Sequence, residues 1–126
     1  MGRYITEIGT ASSVIRNVSG TFTATVNDRI LADSSSVAFT ITLPAGASLM
    51  VGDQVQIIDI TSSFNTNNVT VNRNGSKINN ATDDLTLDID GAAITLLYTG
   101  VTYGWAITAT WLLGFINGIT KFDCFF

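Results

Sequence analysis

Residues 36–44, SVAFTITLP, decide the fold class. Val37, Phe39, Ile41 and Leu43 alternate with Ala38, Thr40 and Thr42, the period-2 pattern of a strand with one face in a core and one outside. Pro44 cannot donate to a sheet ladder and ends the segment. The same period recurs on both sides of this stretch. From Thr21, Phe22, Ala24 and Val26 alternate with threonines, and in Gln54–Ile60 (QVQIIDI) Val55 and Ile57 share a face before the segment turns fully apolar at Ile58 and Ile60. Val69–Ile78 (VTVNRNGSKI) reads as two short strands about Asn74-Gly75, a dipeptide suited to the positive φ angles of a tight hairpin. In LTLDIDG, Leu85, Leu87 and Ile89 are expected inward and Thr86, Asp88 and Asp90 outward, with Gly91 closing the strand. AITLLYTG and YGWAITATW complete the set around a turn at Gly100–Tyr103.

About eight short strands separated by turn signals, without a helical period of useful length, predict an all-β fold. The expectation is an antiparallel β-sandwich or jelly-roll-like barrel. Residues 1–20 show neither period and are expected as an extended N-terminal arm, 21–110 as the sandwich domain, and 111–126 as an apolar C-terminal hairpin or interface segment.

Composition narrows the function classes. The 126 residues are 46% hydrophobic and only 13% charged, with net charge −4 and no histidine. Six scattered basic residues leave no footprint for a phosphate backbone, so no nucleic-acid partner is expected. Without histidine the commonest general base and transition-metal ligand are missing. Ser34, Ser35 and Ser36 therefore have no activating base, and there is no GxSxG elbow. The single cysteine, Cys124, has no partner within the chain for a disulfide. No apolar run reaches the roughly 20 residues of a membrane helix, and the N-terminus lacks the pattern of a secretory signal.

Other motifs have plain structural readings. Thr86, Asp88, Asp90 and Gly91 align with the first half of a calcium loop, but Leu97 stands where a bidentate glutamate belongs; an alternating strand accounts for both aspartates. Asp53 and Asp59 are the conceivable carboxylates of a glycosidase, although nothing in the sequence pairs them. No enzyme activity, cofactor or metal is expected. The Asn-X-Ser/Thr triplets at Asn17, Asn68, Asn74 and Asn80 fit an Asn- and Thr-rich composition. Tyr103 and Trp105 are the candidate ligand-facing residues, since exposed aromatics stack on sugars.

From Val26 to Trp105 the chain resembles a module of tailed-bacteriophage virion proteins, found in fibre, collar and capsid-decoration components. The likeness rests on Arg29–Asp33 (RILAD), Thr42–Pro44 (TLP), Val51–Asp59 (VGDQVQIID), Asn67–Ile78 (NNVTVNRNGSKI), Leu87–Gly100 (LDIDGAAITLLYTG) and Gly104-Trp105. The opening MGRYITEIGTASS is similar to the starts of cyanophage structural proteins. The resemblance implies a non-catalytic, usually trimeric building block located in the virion, whose partners are its own copies and the major capsid protein or tail and fibre proteins. The length fits a capsid decoration (cement) protein or a short fibre or adaptor. A lectin-like module reading host glycans is the alternative.

Beyond Trp111 the sequence departs from that pattern. WLLGFINGITKFDCFF carries a second Asn-Gly, Asn117-Gly118, which can fold LLGFI against ITKFDCF as a hairpin apolar on both faces. Such an edge invites aggregation unless covered. Trp111, Phe115, Phe122, Phe125 and Phe126 are therefore expected at an oligomer interface, the alternative being that the C-terminal segment completes the domain's own core. Burying the last three rings would release on the order of 10 kcal/mol before association costs.

Overall fold

The computed structural model describes residues 13–111. The expected interface residues Phe115, Phe122, Phe125 and Phe126, the C-terminal hairpin and the first twelve residues of the arm lie outside them.

The described residues form nine strands: β1 (Val14–Val18), β2 (Phe22–Thr23), β3 (Asp28–Ala32), β4 (Phe39–Thr42), β5 (Gln54–Asp59), β6 (Val69–Asn72), β7 (Leu85–Leu87), β8 (Ala93–Tyr98) and β9 (Trp105–Trp111). A single 3-10 turn, Gly46–Ser48, is the only helical element among them. The fold is all-β, as expected. A five-stranded sheet, in the order β9-β8-β5-β3-β1, stacks on a four-stranded sheet, β2-β4-β6-β7. Alternation accounts for most of the core: Phe39 and Ile41 on β4, Val55 and Ile57 on β5, and Ile94, Leu96 and Tyr98 on β8 are buried between the sheets.

The strand directions correct the expected antiparallel arrangement. From β1 to β6 the chain alternates between the sheets, so β1-β3, β3-β5, β2-β4 and β4-β6 pair in parallel. Each strand serves as the crossover between two strands of the opposite sheet, and the chain winds around its core as a flattened coil. Only β6-β7, β5-β8 and β8-β9 are antiparallel. Alternation assigns a side chain to a face and says nothing of the direction of the neighbouring strand.

Four further expectations change. Val14–Val18, read as part of an arm, is the edge strand of the larger sheet. Asn74 and Gly75 do adopt positive φ (49° and 89°), but the strand paired with β6 is β7, through Val71 opposite Leu85. Ile78 makes only isolated bridges to Ala81 and Trp105. Val37 and Ile89 fall beyond the ends of β4 and β7 and are exposed.

The winding gives the molecule two ends. Strands β1, β3 and β5 start where β2, β4 and β6 finish, and this end carries the loops around 25–27, 44–53, 73–76 and 99–104. The opposite end carries the loops around 33–38, 60–68 and 88–92, and β9 points toward it.

Candidate functional site

The buried and half-buried carboxylates are structural. Asp59 accepts the backbone N–H groups of Ser63 (3.1 Å), Phe64 (3.1 Å) and Gly91 (2.9 Å), and so ties two loops to the end of β5. Asp28 accepts the Thr25 N–H at 2.8 Å and the Arg16 Nε at 3.2 Å, which fastens β1 to β3. Asp53, Asp84 and Asp90 accept the N–H groups of Met50, Arg73 and Asn65. Each carboxylate thus stabilises backbone donors that strands and turns leave unpaired. Asp53 and Asp59 flank β5 at its two ends, so the structure does not bring this candidate glycosidase pair together. Asp88 and Asp90 likewise belong to no cluster: no three acidic, cysteine or histidine side chains converge among the described residues.

Asp33 has its acidity displaced by its own turn. The Ser35 hydroxyl (2.6 Å) and then the Ser35 N–H (2.9 Å) donate to its Oδ1 and hold its carboxyl below the usual carboxylate range. A depressed folded value means that this turn contributes stability above the unfolded pKa and loses it as pH falls through the folded value. The expected result is that the Asp33 carboxyl carbon, followed by NMR, titrates at higher pH in Ser35→Ala. An unchanged midpoint would remove the Ser35 hydroxyl as the cause.

The aromatic pair expected to face a ligand is split. Tyr103 is exposed, but Trp105 is fully buried and meets Tyr98 edge-to-face at 5.3 Å and 64°. The reason is local. Gly104, at φ +76°, turns the chain into β9 so that Trp105 points between the sheets, and Trp105 N–H donates to the Lys77 carbonyl at 2.7 Å. Trp105 is a core residue, which corrects its assignment to a sugar platform.

What Tyr103 joins instead is an apolar loop end. Met50 and Val51 are 73% and 74% exposed, and Val101 and Tyr103 are 87% and 61% exposed. Two backbone hydrogen bonds, Gly52 N–H to the Tyr98 carbonyl and Tyr98 N–H to the Asp53 carbonyl, tie the two loops together. A Cβ placed on Gly100 would sit 3.8 Å from Val51 Cγ2, so Val51 and the 99–104 loop are in direct contact. Met50, Val51 and Val101 escaped sequence reading because they sit in Gly-containing turns with no period. Their signal is apolar character in a segment that otherwise reads as loop.

A hollow of about 320 Å³ opens beside this end. It is lined by Thr23, Thr25, Val26, Pro44, Ser48 and Asn74 among others, and contains no ionisable side chain. Its walls offer contact surface and no acid-base group. At the other end, Trp111 ends β9 opposite Ala93. Ala93 is opposite Ile58, and Ile58 opposite Leu31, so position 111 is in register with a row of apolar residues of the larger sheet. Comparison with protein-family models and with curated proteins finds no match to this chain.

Proposed function

We propose that the protein is a non-enzymatic structural component of a tailed-bacteriophage particle, a homotrimer serving as a capsid decoration protein or as a short fibre or adaptor. The observation that carries this reading is the exposed apolar loop end formed by Met50, Val51, Val101 and Tyr103. Four large apolar side chains exposed on two loops that are tied together offer a surface suited to contact with another macromolecule. Its position supports a docking role. β1 begins at this end, where Val14 N–H donates to the Asn27 carbonyl, and β9 runs to Trp111 at the other. A rigid body that exposes apolar side chains at one end is suited to docking on a neighbour in a shell or fibre. The sequence resemblance supports the virion as the setting.

Light scattering tests the assembly. The full chain is expected at trimer mass, and Phe122→Ser combined with Phe126→Ser at monomer mass with an unchanged circular dichroism spectrum. A full-chain monomer would remove self-assembly. Attachment is tested by cosedimentation with tailed-phage capsids stripped of decoration protein, expected to weaken about tenfold or more in Met50→Asp/Val51→Asp. Failure to bind any particle, together with glycan binding lost in Tyr103→Ala, would replace the virion reading by a lectin-like one.

A further inference from the structure

Between the edge strand of the smaller sheet and the last two strands of the larger one lies an open apolar seam. A groove of about 180 Å³ is lined there by Leu85, Leu87, Ile89, Ala92, Ile94 and Ile107, together with Thr86 and Asp88. Its wall at β9 is incomplete. Lys77–Asn79 covers the start of that strand: Trp105 N–H donates to the Lys77 carbonyl, Asn79 N–H to the Trp105 carbonyl, and Ile107 N–H to Asn79 Oδ1. From Thr108 to Trp111 no described residue pairs with this edge.

We infer that residues 112–126 reverse at Asn117-Gly118 and add a further strand of the same chain to the free edge of β9, setting Phe125 over the groove. Register and hydrogen-bond parity both lead there. A two-residue Asn-Gly turn makes Ile116 and Ile119 a hydrogen-bonded pair. Hydrogen-bonded pairs then recur every second residue, at 114 with 121, 112 with 123 and 110 with 125. Thr110 must therefore turn its N–H and C=O away from β8, and it does. Tyr98 donates to Asp53 on the β5 side, alternation sends Ile94 the same way, and Thr110 is the residue opposite Ile94. An offset of one residue would have failed this condition.

The faces agree as well. Directly opposite residues share a side of the sheet, and Ile94 points into the core and lines the groove. Position 125 joins the row of Ile94 and Thr110, which brings a phenylalanine to an apolar groove lacking a wall. Phe126 falls opposite Ala109, just short of the positions that Lys77–Asn79 occupies, so the returning strand meets no competitor. Leu113, Phe115, Phe122, Cys124 and Phe126 fall on the outer side with position 111. The pairing concerns one chain and does not rest on the virion reading; it leaves the outer row for the second copy that reading requires.

Cys124 is the only cysteine and is placed opposite Trp111 as a non-hydrogen-bonded pair. At about 4.5 Å between Cα atoms such a pair can carry a disulfide. Trp111→Cys in the full chain, oxidised with diamide, is expected to form an intramolecular disulfide: monomer mobility under denaturing, non-reducing conditions, a mass about 2 Da lower and loss of both alkylatable thiols. Covalent dimers would move the segment to a second copy, and two free thiols would remove the strand; either overturns the inference whatever the protein's oligomeric state. Hydrogen exchange on the unaltered chain reads the same pairing should the variant not fold. The Thr110 amide is expected to be protected with the interior of the sheet, and open-chain exchange there overturns the proposal.

Discussion

Gly104→Ala is expected to cost more than about 3 kcal/mol, a large share of the roughly 5–15 kcal/mol that holds a domain of this size folded. Two effects add. Gly104 has φ +76°, where a side chain costs about 1–2 kcal/mol. A Cβ there would also lie 2.1 Å from the Lys77 carbonyl oxygen and 2.7 Å from the Lys77 nitrogen. Those are backbone atoms of the segment that hydrogen-bonds Trp105 on either side, so relief requires the 77–79 segment to leave β9. Gly75→Ala separates the two effects. Gly75 has φ +89° with nothing within 4 Å of its Cβ position, so it should cost only the conformational 1–2 kcal/mol, roughly. In urea melts followed by Trp fluorescence, Gly104→Ala should lower the denaturant midpoint about one and a half times as much as Gly75→Ala, or more. Equal effects would show that the close approach to Lys77 is relaxed without loss.

Gly104-Trp105 also shows what the sequence could and could not reveal. The pair stands out in the chain, but its residues read equally as a packing device and as an aromatic surface. Only the approach of Lys77, remote in sequence, decides between them. Face assignments were legible where alternation continued through a strand, as at Phe39–Leu43 and Ile94–Tyr98. Pairing partners were not, because period-2 alternation serves parallel and antiparallel neighbours alike. The asparagine-rich segments illustrate a different limit. Of the five described non-glycine residues with positive φ, four are asparagines: Asn27, Asn74, Asn79 and Asn80. Their abundance reflects backbone demand, since asparagine tolerates the left-handed region better than most residues. This accounts for two of the four Asn-X-Ser/Thr triplets, Asn74 and Asn80, without recourse to glycans. The apolar end formed by Met50, Val51, Val101 and Tyr103 had no sequence signature as a unit, because it joins two loops distant in sequence through β5 and β8.

Phe64 was equally hidden, being a lone aromatic in SSFNTNN that is nonetheless fully buried. What puts it there is Asp59, and this leads to the second large effect. Asp59→Ala is expected to destabilise the protein by about 3–5 kcal/mol, because three N–H groups lose a charged acceptor and the buried one at Phe64 has no water to replace it. Both carboxylate oxygens are engaged, Oδ1 by the Ser63 N–H and Oδ2 by those of Phe64 and Gly91. Asp59→Asn keeps a single acceptor oxygen and turns an NH2 group toward the remaining donor or donors. With its oxygen placed on the Phe64 and Gly91 side, it should cost about half as much, roughly 2 kcal/mol. The ordering Ala, then Asn, then the unaltered protein, read from denaturant midpoints, follows from a structural carboxylate. A carboxylate employed in chemistry would give the reverse signature, since replacing it would leave stability unchanged or raise it by relieving a desolvated charge. Should both variants melt with the unaltered protein, the hub at the end of β5 would not be what seats Phe64, and the packing of its ring alone would have to hold the 60–68 loop in place.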